Sequence, residues 1–478
     1  MTAAAAERPT VGLLLLAGDT WWEMGVCEAK TGRYAGFMDK VEKDSRNIRT
    51  ALEKHFRVVT SGIVHTVDAA VAEARRFAAE RVDAVVYCPI IWTNDQPLVA
   101  FLRELPECPI LLWSYDPYDK VLDYYTISDW LRASAPVSVQ QSTNIFLRLG
   151  RRFSHVFGNE NRPETRRRIE AFVRAAAVQK SLRGTRIAVF PSPCRVVVST
   201  WFDEHELAAR FGVELVYVSV AEFESLAAAV SETDVAAAVA WLKRYPVSEV
   251  DEAHLAAAAR QALGMVAMAD RHGLSGIAIE DFNKEFYQRL GYRPHLSLPG
   301  LGERFCTVGL EADALGVLAT IMSGRCAGRV GMFTEFYTID PHRDLVLMGH
   351  PGFGEVSFAQ EGTIQVTPDI EIDDSQDRGV WVSYRAAEGP MTLFNLSAAK
   401  GSFKGGYFFG QCLGGPRLME GYAHMLVKPD CPAEPLFDRI AEAGLFQHWG
   451  ASYGDIRLEL SFLARLTGLE LTELGCGT

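Results

Sequence analysis

The first third of the chain alternates apolar runs with amphipathic stretches. The runs Thr10–Gly18, Asp83–Ile91 and Cys108–Tyr115 have the apolar continuity of buried strands. Between two of them, Val67–Val82 repeats apolar residues at helical spacing. The alternation predicts βαβ units on an open parallel sheet. A polar, arginine-rich stretch, Gly158–Gly184, then predicts a loop followed by a connecting helix.

The alternation of strand and helix patterns resumes after this connection, and a different sequence pattern later replaces it. Thr185–Pro193 and Val213–Val220 have strand patterns around the helical stretch Asp203–Gly212, and alanine-rich helices follow. From about residue 327, short alternating strands and Gly-rich turns predict a mostly antiparallel part, closed by a last helix at Asp455–Gly468. One predicted strand there is Thr363–Ile372.

The predicted fold is therefore α/β, with two tandem Rossmann-like parallel α/β domains followed by a mostly antiparallel β domain. The 478 residues exceed the roughly 250–300 at which single cores stop growing, so several domains are expected. The predicted ranges are 1–180 for the N-terminal α/β domain, 181–326 for the central α/β domain and 327–478 for the C-terminal β-rich domain.

Composition and charge narrow the class of partner. An apolar content of 48% and a charged content of 23% are ordinary for a soluble globular protein. The net charge of −12 argues against nucleic acid or membrane as a partner, because both select basic patches. The apolar run Val11–Gly18 is too short to span a bilayer. It follows Glu7 and Arg8 and precedes polar Asp19 without a small-residue cleavage site, which disfavours a signal peptide. Nine cysteines without a CxxC pair favour reduced thiols, so a cytoplasmic location is expected.

Two glutamates and two histidines are the candidate metal ligands: Glu311, Glu335, His350 and His448. Glu311 opens a predicted helix whose apolar positions form one face, and the helix dipole stabilises a carboxylate at its start. Glu335 lies in an otherwise apolar strand, where a carboxylate is seldom buried without a partner. His350 precedes a Pro-Gly turn, and His448 lies among aromatic residues. Taken singly, each is better explained by an ordinary structural position, and no short metal signature joins them.

If the four converge, the chemistry is specific. Mixed carboxylate and imidazole ligands favour Mn²⁺, Co²⁺ or Mg²⁺ over structural zinc. Such an ion holds neighbouring oxygens of a polyol and stabilises charge on an enediolate. Two carboxylates beside it can pass a proton between adjacent carbons as base and acid. This pattern points to an enzyme.

At these residues the chain resembles the L-arabinose isomerase family, in the wider group that includes L-fucose isomerase. The similarity runs from LLLLAGDTWWEMG to QHWGASYGD and is densest around GLEADALG, FTEFYTI and LMGHPG. The resemblance implies an aldose–ketose isomerase, an intramolecular oxidoreductase that uses a cis-enediol between C1 and C2 of a small-molecule sugar. It also implies a homo-oligomer, a hexamer or tetramer, with active sites shared between subunits.

Motif by motif, the resemblance places all four ligands. Glu311 and Glu335 fall on the family's metal-binding glutamates, which also form its acid/base pair. His350 and His448 fall on its metal histidines. Other segments that look like family pocket segments give five candidate substrate-binding residues: Trp21, Trp22, Gln141, Cys194 and Phe282.

The chain also departs from the family around the pocket. The family's Gln-His-Leu-Tyr loop is here Asp19-Thr20-Trp21-Trp22, Asn144 replaces a pocket histidine, and Gln447 replaces the first histidine of a His-His pair. Two alternatives therefore stay open. The first is an epimerase, or an isomerase of an unusual or modified sugar in a specialised pathway. The second is a non-catalytic sugar-binding protein, which would bind sugar without metal or turnover.

Overall fold

The computed structural model of the protein describes residues 8–369 and 379–475. The chain divides into two compact units between Lys180 and Ser181. The first unit contains one sheet, and the second contains a parallel sheet and a larger, mostly antiparallel one. The predicted fold class is confirmed. The three predicted domain ranges stay a prediction.

The first unit is built on six parallel strands with helices between them. The strands are β1 (Thr10–Leu16), β2 (Arg57–Val59), β3 (Ile63–Val64), β4 (Ala84–Pro89), β5 (Ile110–Ser114) and β6 (Ser154–Phe157). The helices are α1 (Thr20–Glu23), α2 (Phe37–Glu53), α3 (Val67–Ala79), α4 (Asp95–Glu104), α5 (Ile127–Arg132), α6 (Ala135–Arg148) and α7 (Pro163–Leu182). The strand order is β2-β1-β4-β5-β6, and β3 also pairs with β1.

Burial explains why this part of the sequence is so apolar. Strands β1 and β4 are buried almost throughout, as expected for parallel strands that are covered on both faces. Phe77 and Phe101 pack edge to face in the core of this unit, with ring centroids 5.8 Å apart. Gly12 makes room for this packing, because a Cβ atom there would lie 2.6 Å from the Phe77 ring.

The second unit begins with four parallel strands. They are β7 (Arg186–Phe190), β8 (Glu214–Tyr217), β9 (Gly276–Ile279) and β10 (Thr307–Gly309). The helices of this region are α8 (Glu204–Phe211), α9 (Val220–Ala228), α10 (Glu232–Leu242), α11 (Glu252–His272), α12 (Lys284–Leu290) and α13 (Pro299–Gly302). The order is β10-β9-β7-β8, so the loops after β7, β9 and β10 leave from one edge.

The large sheet of the second unit closes on itself. Its strands are β11 (Met332–Asp340), β12 (Leu345–His350), β15 (Gly389–Ala399), β16 (Ser402–Cys412), β17 (Ala423–Pro429), β18 (Trp449–Tyr453) and β19 (Glu470–Glu473). Their order is β15-β18-β11-β12-β17-β16-β19, and β15 also pairs with β16, which completes a ring of six strands. A separate hairpin pairs β13 (Gln365–Pro368) with β14 (Val380–Ser383), and two more helices are α15 (Ala433–Glu442) and α16 (Arg457–Thr467).

Helix α14 (Ala314–Ala327) lies between the two sheets of this unit. Twelve of its 14 residues are buried, so it is covered on all sides. A Cβ atom on Gly276 of the parallel sheet would lie 2.4 Å from Val317, and one on Gly450 of the large sheet 2.5 Å from Thr320. The prediction of a helix with one apolar face that begins at Glu311 is wrong on both counts, because the helix is enclosed and begins at Ala314.

The described ranges limit three predictions. The predicted strand Thr363–Ile372 is described only in part, since β13 ends at Pro368 and residues 370–378 lie outside the described residues. None of the eight described cysteines forms a disulfide, and Cys476 lies outside the described residues. In the described ranges, no single helix is long and apolar enough to cross a membrane; helices α9 and α10, bent by 89°, meet that criterion only as a pair.

Candidate metal centre

Four side chains from four different segments converge in the second unit. Glu311 lies in the turn after β10, Glu335 within β11, His350 at the end of β12, and His448 directly before β18. One ligand atom from each lies within 4.8 Å of the others. The two histidines and Glu311 are buried, and Glu335 is half-buried. The four residues suggested by the sequence therefore form one cluster.

A strained turn presents Glu311 to this cluster. Glu311 and Ala312 have φ angles of 57° and 47°, a left-handed conformation that costs a non-glycine residue about 1–2 kcal/mol. Two hydrogen bonds hold the turn: Glu311 N–H donates to Asp281 Oδ1 at 2.7 Å, and Ala312 N–H donates to Ile279 O at 2.8 Å. Such strain persists only where the surroundings enforce it, and it is typical of functional sites.

The hydrogen bonds of both histidines define their tautomers. His448 Nδ1 lies 2.8 Å from Asp313 Oδ2, and His350 Nδ1 lies 3.0 Å from Pro351 O. Because both partners are acceptors, each Nδ1 carries the proton, and each neutral ring keeps a lone pair on Nε2. The two Nε2 atoms face each other at 3.2 Å.

Two lone pairs at this distance repel unless a positive charge lies between them. A proton on His448 or a cation bound by both rings would provide it. The flanking groups add negative charge, since Glu311 Oε2 lies 3.7 Å from His448 Nε2. Two imidazole nitrogens and two carboxylates form a donor set that suits a divalent ion. The residues present therefore fit a metal ion.

The pKa values in the cluster are strongly shifted. Burial raises the pKa of Glu311 to about 7, against the opposing effect of His448, and burial also raises the pKa of Glu335. Burial and the neighbouring His448 lower the pKa of His350 to about 3, so this ring is neutral at neutral pH. Burial lowers the pKa of His448 as well, but Asp313 and the two glutamates outweigh it, and the net shift is upward. A bound cation would displace the protons held here.

A second layer of residues orients the ligands. One carboxylate oxygen of Asp313 accepts a hydrogen bond from His448 Nδ1–H. The other accepts one from Leu315 N–H and so caps α14. Asn395 Nδ2 donates to His448 O at 2.6 Å. Gly316 leaves room for the pair, because a Cβ atom there would lie 2.6 Å from Asp313 Oδ2 and 2.8 Å from His448 Cβ. Ligand histidines in metal sites almost always have such a partner on the other ring nitrogen.

Sequence reasoning missed Asp313, Asp281 and Asn395. Asp313 had a usable signal, since an aspartate directly before an apolar helical stretch is a good N-cap. Asp281 and Asn395 had none, because their roles depend on contacts between distant segments. Gln447, which departs from the family's histidine at this position, also contacts a ligand. Its Nε2 donates to Glu311 Oε2 at 2.9 Å.

Asp313→Asn is expected to weaken divalent-metal binding by about 10–100-fold, the usual effect of removing a partner of a ligand histidine. Asparagine caps helices as well as aspartate does, so α14 should still begin at the same place. Titration calorimetry with Mn²⁺ measures the effect. Asp203→Asn, at the N-cap of α8, is the matched control and should leave the affinity unchanged. Equal affinity in the Asp313 variant and wild type would contradict the role of Asp313.

Three of the predicted substrate-binding residues lie in the first unit. Trp21 Nε1–H donates to Trp92 O at 3.0 Å, and Trp22 stacks on His65. Gln141 Nε2 donates to Asp95 and to Thr93 O. All three side chains are thus partly engaged by their own unit, and their role in substrate binding stays a prediction.

The other two lie near the cluster in the second unit. Cys194, in the loop after β7, is fully buried, and burial raises the pKa of its thiol. Phe282 follows Asp281 and is 52% exposed. Of the two, Phe282 is the one that a solute can reach, and the role of both in substrate binding stays a prediction.

Fold and site together define a class: an α/β protein whose second unit holds a carboxylate–imidazole cluster, suited to a divalent metal ion, between a parallel sheet and a closed antiparallel sheet. No family model matches the chain. Three curated relatives are called sulfoquinovose isomerase. The protein from Clostridium sp. (strain MSTE9) is 24% identical over 382 residues, 77% of this chain and 81% of that protein. Those from Priestia aryabhattai and Priestia megaterium are each 20% identical over 411 residues, 82% of this chain and 85% of theirs.

One of the solved structures that match the chain is the periplasmic binding protein component of an arabinose ABC transporter from Shewanella sp. ANA-3. The two are 14% identical, and the match covers 59% of this chain and 77% of the transporter protein. Its TM-score of 0.13 carries no argument. The relatives and the cluster together support an enzyme, an intramolecular oxidoreductase that isomerises a sugar. The narrower assignment to the L-arabinose isomerases is not confirmed by these relatives.

Proposed function

We propose that the protein is a divalent-metal-dependent aldose–ketose isomerase that works through a cis-enediol. The observation that carries the proposal is the convergence of Glu311, Glu335, His350 and His448, with the two histidine Nε2 atoms 3.2 Å apart. Mn²⁺ is the first ion to test, with Co²⁺ and Mg²⁺ as alternatives. A divalent ion held by these four residues would act as a Lewis acid that polarises a carbonyl and stabilises developing negative charge.

The two glutamates would move the proton. One carboxylate removes the proton from C2 of the aldose. The other supports transfer of the hydroxyl proton from O2 to O1, and a proton is then returned to C1. A group that both accepts and donates protons works best when its pKa lies near the working pH. Burial, which raises the pKa of both glutamates, supports this role.

The relatives make a modified sugar the leading substrate candidate. Sulfoquinovose is a glucose in which a sulfonate replaces the 6-hydroxyl group, so it is an aldose that the same reaction can convert to a ketose. The rebuilt loop Asp19-Thr20-Trp21-Trp22 is in keeping with a sugar other than L-arabinose. The similarity to the isomerases also favours a homo-oligomer, a hexamer or tetramer with shared active sites. Light scattering of the purified protein would test that assembly.

A sugar panel tests the proposal. Sulfoquinovose, L-arabinose, L-fucose and D-glucose are each incubated with the Mn²⁺-loaded protein, and products are identified by NMR. A ketose formed only in the presence of metal supports the isomerase. An aldose inverted at C2 would instead establish an epimerase. Tight sugar binding without metal and without turnover would establish a binding protein.

A further inference from the structure

A second group of polar and aromatic residues lies at the carboxyl edge of the parallel sheet in the first unit. Asp19 follows β1, His65 follows β3, and Trp22 lies in α1. His65 Nδ1 lies 3.1 Å from Asp19 Oδ1. The imidazole stacks on the Trp22 indole with ring centroids 4.0 Å apart and planes inclined by 5°. In open α/β sheets, ligands bind in the crevice at this edge.

These contacts determine both the tautomer and the orientation of the imidazole. Because the Asp19 carboxylate can only accept a hydrogen bond, the neutral His65 ring carries its proton on Nδ1 and presents a lone pair at Nε2. Stacking on Trp22 fixes the plane of the ring. The side chains of His65 and Asp19 are 30% and 38% exposed, so a solute can reach them. Within the described ranges, no hydrogen bond is found at His65 Nε2.

We propose that Asp19 and His65 are an acid–base pair that opens the ring of a reducing sugar. His65 Nε2 takes the proton of the anomeric hydroxyl, the C1–O5 bond breaks, and a carbonyl forms between C1 and O1. The proton on Nε2 then passes to O5, which becomes a hydroxyl. O1 and O5 are both attached to C1, so one imidazole serves both. Asp19 stabilises the intervening imidazolium, as carboxylates paired with histidine do in other acid–base sites.

The proposal rests on the proposed function only for its substrate class, a reducing sugar. Aldoses exist in water mainly as closed rings, and an aldose–ketose isomerisation needs the open chain. Ring opening at Asp19–His65 would supply that form. The reverse reaction closes the ring to either anomer, so the pair would also catalyse anomer exchange, without metal and without isomerisation.

A second Asp–His pair in the other unit provides a matched comparison. His254 Nδ1 lies 2.8 Å from Asp251 Oδ1, with both side chains exposed at the start of α11. This pair lies in the first turn of a helix. Among the residues that the structure describes, no indole stacks on His254, and the Tyr292 ring meets the imidazole edge-on at 5.9 Å. An exposed ion pair of this kind contributes little to stability, so His254→Gln is a suitable control.

The proposal is tested with the full-length protein, freed of metal with EDTA. The quantity measured is the rate at which the protein interconverts the anomers of a reducing sugar. Freshly dissolved α-D-glucose, β-L-arabinose and sulfoquinovose are followed by polarimetry and NMR. Wild type should accelerate exchange of at least one sugar by about 10²-fold over buffer, the size of a general acid–base effect. His65→Gln should return the rate to that of buffer, Asp19→Asn should lower it at least about tenfold, and His254→Gln should not change it.

The outcomes separate this proposal from the isomerase. No acceleration with any of the three sugars, or equal acceleration by wild type and His65→Gln, would overturn the Asp19–His65 assignment. Glu335→Gln should lose isomerisation and keep anomer exchange, so failure of either activity is seen on its own. Circular dichroism of the His65 and Asp19 variants checks that the first unit is folded.

Discussion

Glu335→Gln is expected to lower kcat for aldose–ketose conversion by about 10³-fold at saturating Mn²⁺, within the usual range for loss of an acid–base group. Glutamine keeps the size of the side chain and the pairing of residue 335 with Gly349, so strand β11 should be preserved. The amide neither accepts nor releases a proton at neutral pH. Deuterium transfer from D₂O into the product measures the proton step separately from metal binding.

Two further variants make this result interpretable. Glu335→Asp keeps a carboxylate, and partial recovery of activity would attribute the loss to proton transfer rather than to a disturbed strand. Glu470→Gln changes an exposed glutamate within β19 of the same sheet and should retain full activity. Near-normal turnover by the Glu335→Gln protein would show that the acid–base assignment is wrong.

His448→Ala is expected to remove the metal. Loss of a partner of a ligand histidine costs about 10–100-fold in affinity, and loss of the ligand itself should cost more. The variant also leaves the Asp313 carboxylate buried without its imidazole partner, so some loss of stability is expected as well. Elemental analysis of the purified protein should find about one Mn²⁺ or similar ion per wild-type chain and none in the variant.

A buried histidine elsewhere in the same sheet is the control for structural damage. His424, in β17, is fully buried, and its Nδ1 and Nε2 contact Tyr422 O and Leu418 N. His424→Gln should lower the melting temperature and keep the metal. Absence of metal from the wild-type protein, even after addition of Mn²⁺, would refute the metal-dependent isomerase and favour a sugar-binding protein.

Local pattern was enough to predict most of the fold class. The continuous apolar run at β1 and the helical spacing at α3 depend on short-range periodicity, and both were confirmed. Strand β19 was missed because its sequence, Glu470–Glu473, is polar and mostly exposed. The enclosure of α14 was missed for a different reason: a helix between two sheets is apolar on all sides, and its partners are distant in sequence.

The cluster could be found from the sequence only by family resemblance. Glu311, Glu335, His350 and His448 belong to separate segments, and no spacing rule joins them. What the sequence could not provide was the support around them. The left-handed turn at Glu311 and Ala312 requires Asp281 and Ile279, which lie on a neighbouring strand and its loop. Contacts of this kind follow from strand order and not from local propensity.

The positions of the four ligands also bear on how the second unit unfolds. Glu311 follows a strand of the parallel sheet, whereas Glu335 and His350 lie in the closed antiparallel ring and His448 directly precedes its strand β18. An ion bound by all four would tie the two sheets together, so neither could unfold without releasing it. At a free ion concentration 100 times the Kd, this linkage adds about 2.7 kcal/mol to the free energy of unfolding. Metal supply would then govern the lifetime of the folded enzyme in addition to its turnover.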